Sequence, residues 1–180
     1  MIGASTGGVD ALAQVLSGIG PDCPPIVVLQ HINVYFSDPF VTRLADLAKL
    51  KVSDCLQNEA LQAGYLYSPT GNYNIRLEEK NGKIIINRDK KQIADHWPLI
   101  DYTLESVSYL SVQKVAILLT GMGSDGAIGM KKIHNSGSYC MIQNQQSSVV
   151  YGMPKIAKQL GAYDYIGDLA QIRSKLFGMI

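Results

Sequence analysis

Short runs of consecutive apolar residues alternate along this chain with stretches whose apolar positions recur every three or four residues. Val9, Leu12, Ala13 and Leu16 stand at the i, i+3, i+4, i+7 spacing of one helical face, and Gly18 and Gly20-Pro21 end that helix. Residues 25–30 form a continuous β-branched run, the composition of a parallel strand buried on both faces. Ser37 is then expected to cap a helix that turns Phe40, Val41, Leu44, Leu47 and Ala48 inward.

From residue 51 to about 91 the pattern breaks into short stretches at 51–55, 65–68, 73–77 and 84–87. Asn81-Gly82 signals a tight hairpin between the last two, so the segment reads as an antiparallel excursion at a sheet edge. Asp95-His96-Trp97-Pro98 reads as a loop. Pro98 opens a helix that buries Leu99, Tyr102 or Thr103, Leu104 and Val107. Residues 115–120 are a second buried-strand run, followed by a glycine-rich turn and a helix over 127–135. A strand at 139–143, a helix from Pro154 to Leu160, a strand at 163–166 and a last helix carrying Leu169, Ile172 and Leu176 complete the chain.

Strands alternating with helices predict an α/β fold: a doubly wound, mostly parallel sheet with helices on both faces and an antiparallel hairpin at one edge. At 180 residues the chain suits a single domain over 1–180, and 47% hydrophobic residues without a long apolar run describe a globular protein rather than one inserted in a membrane. A net charge of +1 offers no broad footprint for nucleic acid, and the basic pairs Lys90-Lys91 and Lys131-Lys132 read as solvated faces. Cys23, Cys55 and Cys140 are an odd, unpaired set that fits reduced thiols in the cytoplasm. Cys23 and Cys140 are expected in the core. Only Met1 and Ile2 precede the first turn, so the chain is expected to begin inside a strand and to be cut from something longer.

In open parallel sheets the ligand binds outside the carboxyl ends of the strands. Three chemically useful residues fall there. Ser5 lies in the turn Gly3-Ala4-Ser5-Thr6-Gly7-Gly8, His31 directly follows the run at 25–30, and Asp125 follows the run at 115–120 in Gly121-Met122-Gly123-Ser124-Asp125-Gly126. A hydroxyl to attack, an imidazole to take and return its proton, and a carboxylate to fix the imidazole are what acyl transfer requires. Each has a plainer reading, as a helix cap or a hydrogen-bonded loop residue. The order Ser, His, Asp disfavours the α/β-hydrolase fold, whose order is Ser, Asp, His. The first turn is neither a dinucleotide loop nor a phosphate loop. His31, His96 and His134 lack metal-ligand spacing, so neither cofactor nor metal is expected. Trp97, Tyr73 and Tyr35 are candidates for the cleft wall, with packing as the default.

The motifs Gly3-Ala4-Ser5-Thr6-Gly7-Gly8, Gln30-His31, Leu118-Leu119-Thr120-Gly121-Met122-Gly123-Ser124-Asp125-Gly126, Gln143-Asn144 and Gly152-Met153-Pro154 resemble, in order and spacing, the catalytic domain of the CheB chemotaxis receptor methylesterases. That resemblance implies cleavage of glutamyl γ-methyl esters on the cytoplasmic domains of methylated chemoreceptors, and in some members deamidation of receptor glutamines. It implies Ser5 as nucleophile, His31 as base and then acid, Asp125 as the orienting carboxylate, and Thr6 and Met122 in the same site, the Met122 N–H as an oxyanion donor. It also implies a phosphorylatable receiver domain, which these 180 residues do not contain. A non-catalytic relative that binds a receptor or signalling protein would share the fold. The sequence departs from the family where Asp95, Trp97 and Leu99 replace basic and hydroxyl groups, and where Asn33-Val34-Tyr35-Phe36 lacks a proline after the histidine.

Overall fold

A computed structural model describes residues 1–89 and 97–180. The chain runs β1 (Ile2–Ala4), α1 (Gly8–Leu16), β2 (Ile26–Gln30), α2 (Val34–Ala48), β3 (Lys51–Ser53), β4 (Tyr65–Tyr67), β5 (Asn74–Lys80), β6 (Lys83–Asp89), α3 (Ile100–Ser108), β7 (Val115–Leu118), α4 (Ala127–Asn135), β8 (Tyr139–Gln143), α5 (Met153–Gln159), β9 (Tyr165–Gly167) and α6 (Leu169–Phe177). Seven strands form one sheet in the order β3-β4-β2-β1-β7-β8-β9, every neighbouring pair parallel. Progression along the sheet reverses at β1: the chain first builds outward through β2, then returns to place β7 on the other side of β1.

Alternation along the buried strands divides their side chains between two cores. Ile26 and Val28 face the layer made by Leu12 and Leu16 of α1, Val41 and Leu44 of α2, and Ile172 and Leu176 of α6. Val27 and Leu29 face the layer of Ile100 and Leu104 of α3, Met130 and Ile133 of α4, and Ala157 of α5. The hairpin belongs to this second layer, where Ile75, Leu77 and Ile86 are buried.

Several helical faces differ from the periodic reading. In α1, Ala11 and Val15 join Leu12 and Leu16 inside, whereas Val9 is exposed and Ala13 half-buried. Asn33 rather than Ser37 caps α2, accepting from the Tyr35 N–H at 3.0 Å, and Ser37 lies buried with its hydroxyl 2.6 Å from the Thr70 carbonyl. Leu47 is exposed and Ala45 takes the inward position. In α3 Thr103, not Tyr102, is buried, and its hydroxyl donates to the Ile75 carbonyl at 2.8 Å.

The hairpin turns at Asn81 and Gly82, both at positive φ (51° and 72°), the backbone a two-residue turn between twisted strands requires. Its strands form a separate antiparallel sheet, joined by a bridge from Ala60 to Ile85. The two stretches before it do not share its direction: β3 and β4 extend the main sheet in parallel. Consecutive residues Leu66 and Tyr67 of β4 are both buried, as suits a parallel strand covered on both faces, whereas β5 buries Ile75 and Leu77 and exposes Arg76 and Glu78. Lys90-Lys91 and Asp95-His96 of the expected loop lie outside the described residues.

Candidate active site

Ser5, His31 and Asp125 follow the adjacent strands β1, β2 and β7 at the reversal of strand order, and they meet there. His31 Nδ1 lies 3.2 Å from Ser5 Oγ, and His31 Nε2 lies 2.8 Å from Asp125 Oδ2. The side chains of His31 and Asp125 are only 15% and 12% exposed, so the pair is shielded while Ser5 stays half-buried at the surface.

Each member is positioned by its local sequence. The left-handed residue Gly7 (φ 80°) begins α1 without a side-chain cap, so the Ser5 hydroxyl is not engaged in capping the helix. The Ser5 N–H donates to the Thr120 carbonyl at 3.0 Å, and the Gln30 side-chain amide donates to the Ser5 and His31 carbonyls, both at 2.9 Å. One buried amide thus ties the serine turn to the end of the histidine's strand. Thr120 holds the turn from the other side, its hydroxyl donating to the Thr6 carbonyl at 2.9 Å and accepting from the Val150 N–H at 3.0 Å. Gln143 fixes Thr120 in turn by accepting its N–H at 2.7 Å.

Asp125 does not cap its own helix; Gly126 stands at that position, at φ 88°. Its carboxylate caps α3 instead. Oδ2 accepts from the Ile100 N–H and Oδ1 from the Asp101 N–H, each at 2.8 Å, at a helix whose own N-cap residue, Leu99, has no side-chain acceptor. Burial raises the Asp125 pKa, but the hydrogen bond from His31 and those from the Asp101 and Ile100 amides outweigh it and hold the carboxyl below its usual range. An ionised Asp125 accepts a hydrogen bond from Nε2–H, which leaves the Nδ1 lone pair facing Ser5.

Met122 and Thr6 border this group. A Cβ at Gly121 would come within 2.7 Å of Ser5 Cβ, so the backbone leading into Met122 is packed against the serine. The Gly121 carbonyl accepts from the Gly152 and Met153 N–H groups at 3.1 and 2.9 Å, which anchors that loop to the start of α5. The Met122 side chain is 73% exposed and Thr6 is exposed. Neither the Thr6 nor the Met122 N–H has a hydrogen-bond acceptor among the described residues.

Residues 1–176 match the CheB methylesterase family. This chain belongs to that family. Relatives of this CheB chain include the protein-glutamate methylesterase/protein-glutamine glutaminase 2 of Oleidesulfovibrio alaskensis, 33% identical over 98% of this chain and 50% of the relative. A protein of the same description from Vibrio vulnificus is 38% identical over 95% of this chain and 50% of its own length. The chain therefore spans about half the length of these CheB relatives. Among solved structures, the CheB methylesterase catalytic domain of Thermotoga maritima superposes with a TM-score of 0.93 at 32% identity, covering 99% of this chain and 96% of that one.

The supporting residues Gln30, Thr120 and Gln143 stand in the family motifs, but the sequence alone assigns them no positioning role; Gln30 and Gln143 also stand out as polar residues closing otherwise apolar, buried strands. Of the aromatic candidates, Tyr73 is buried in the second core, with its hydroxyl on Asp54, and Tyr35 is 84% exposed. All three cysteines are buried and free, and burial pushes the Cys140 thiol up to about 12. Among the described residues no cluster of His, Cys, Asp and Glu could hold a metal ion, and no helix is long and apolar enough to cross a membrane.

Proposed function

We propose that this chain hydrolyses glutamyl γ-methyl esters on chemoreceptor cytoplasmic domains through Ser5, His31 and Asp125. The carrying observation is the succession of hydrogen bonds from Ser5 Oγ through the imidazole to Asp125, in a chain of the CheB family. Ser5 Oγ attacks the ester carbonyl carbon while His31 Nδ1 takes its proton, and the imidazolium is stabilised by Asp125. The tetrahedral oxyanion is held by the Met122 and Thr6 N–H groups. Collapse breaks the carbon–methoxy bond, and His31 returns the proton to the leaving oxygen, releasing methanol and leaving a γ-glutamyl ester on Ser5. Water then attacks that ester with His31 as base, and the proton goes back to Ser5 as glutamate departs. A glutamine substrate follows the same route with ammonia as leaving group.

This role places the reaction in the cytoplasm, with the receptors as partners and a receiver domain as the candidate regulator. The test is methanol release from methyl-esterified chemoreceptor fragments. Ser5→Ala and His31→Ala are each expected to lower the rate by about 10³-fold or more, because the members act as a unit. Undiminished release by Ser5→Ala removes the mechanism. No release from the unaltered, folded chain, on fragments that another methylesterase demethylates, favours the binding-only relative.

A further inference from the structure

We propose that the rim around Ser5 docks the substrate protein through an apolar band rather than through basic side chains, with Tyr35, Phe36, Met122 and Val149 as its contacts. The inference rests on the reading that Ser5, His31 and Asp125 cleave an ester on a protein side chain.

The loops after β1, β2, β7 and β8 lie side by side, because the sheet order places β2, β1, β7 and β8 as consecutive neighbours. Each carries exposed apolar surface. Tyr35 is 84% exposed and Phe36 66% in the first turn of α2, Met122 is 73% exposed after β7, and Val149 is 71% exposed after β8. Two of these contacts lie against the serine turn itself: a Cβ at Gly7 would meet Val149 Cβ at 2.6 Å, and Gly121, directly before Met122, abuts Ser5 Cβ. Large apolar side chains scattered singly need no explanation, but exposed apolar residues on each of the loops beside one nucleophile mark an interaction surface.

Charge narrows the occupant. Residues 5–10, 31–38, 120–129 and 144–153 contain no lysine or arginine; their charged groups are Asp10, Asp38 and Asp125. An acidic partner surface finds no cation in these four loops. A methylated glutamyl group is uncharged and suits them, whereas the carboxylate formed by hydrolysis meets no lysine or arginine in these loops. The ester carbonyl is separated from its own Cα by only two methylene groups. For that carbon to reach Ser5 Oγ, the backbone carrying it must lie on the rim, so the substrate protein covers the band during every turnover.

The test uses the double variant Tyr35→Ser/Phe36→Ser, which alters exposed positions outside the reacting group. Its kcat/KM is measured on a methyl-esterified chemoreceptor cytoplasmic fragment and on p-nitrophenyl acetate, between about 50 and about 500 mM NaCl. The expected result is a fall of about tenfold or more on the fragment with p-nitrophenyl acetate within about twofold, and a wild-type rate on the fragment that changes less than about twofold with salt. Equal losses on both substrates, no loss on either, or a steep fall of the wild-type rate with salt overturns the proposal. Absence of methanol release from the wild type overturns the catalytic reading and the docking proposal with it, whereas release unaltered in the double variant removes the docking proposal alone.

Discussion

Gln30 illustrates how a residue without reactive chemistry enters the site. Its amide nitrogen holds two carbonyls, one on each side of the gap between Ser5 and His31, while its Oε1 is buried with no hydrogen-bond partner among the described residues. The oxygen sits against Gly8, where an added Cβ would lie 2.1 Å from it. Glycine at position 8 is therefore required by Gln30, and by Ala4 whose Cβ would lie 2.7 Å from the added carbon, and not by backbone conformation. Displacing the amide releases the serine turn from the histidine strand, and small displacements of this kind cost about 10²-fold in rate. Gln30→Leu is expected to lower kcat by about 10- to 100-fold with KM little changed. Gly8→Ala produces a similar loss, and the two changes together cost less than their sum, since both remove the same tie. Steady-state kinetics of the three variants on a methyl ester check this.

At the scale of elements, the carboxylate proposed to orient His31 also serves as the missing cap of α3. Leu99 cannot accept the first N–H groups of that helix, and Asp125 reaches across from the loop after β7 to do so. The negative charge is favourable at the helix N-terminus, which adds to its persistence as a carboxylate. Asp125→Asn should consequently affect stability as well as activity. It is expected to cost about 1–3 kcal/mol at neutral pH, because amide N–H groups of α3 lose an acceptor. The sign with pH follows from the lowered carboxyl pKa: the stabilisation is complete above the unfolded value of about 4 and is lost as pH falls through the folded value. Urea unfolding of both proteins should show a constant gap from neutral pH to about pH 4 and a shrinking one below it.

For the molecule as a whole, the reversal of strand order at β1 matters most, because it brings loops distant in sequence onto one rim. Ile100 is the packing residue at that point. It is fully buried, its Cγ2 would lie 2.7 Å from a Cβ at Gly3 and 2.8 Å from one at Gly126, and its N–H binds Asp125. The two glycines make room for one isoleucine over the centre of the sheet. Ile100→Ala is expected to destabilise the fold by about 2–5 kcal/mol, with an unchanged dependence on urea concentration. Equilibrium unfolding measures it. Much of this architecture is readable from the chain: the buried strands at 25–30 and 139–143, the helix at 127–135 and the Asn81-Gly82 turn follow from local periodicity and turn chemistry, which neighbouring residues determine. The meeting of Ser5, His31 and Asp125 on one rim is also legible, since each follows a strand end or its glycine-rich turn. Tertiary structure alone decided the rest. The parallel pairing of β3 and β4, the placing of the hairpin over α3, the inward turn of Ala45 in place of Leu47, and the clamp of Gln30 and Thr120 all depend on which surfaces meet. Periodicity specifies that a face is apolar; the partner across the interface determines which residues it covers.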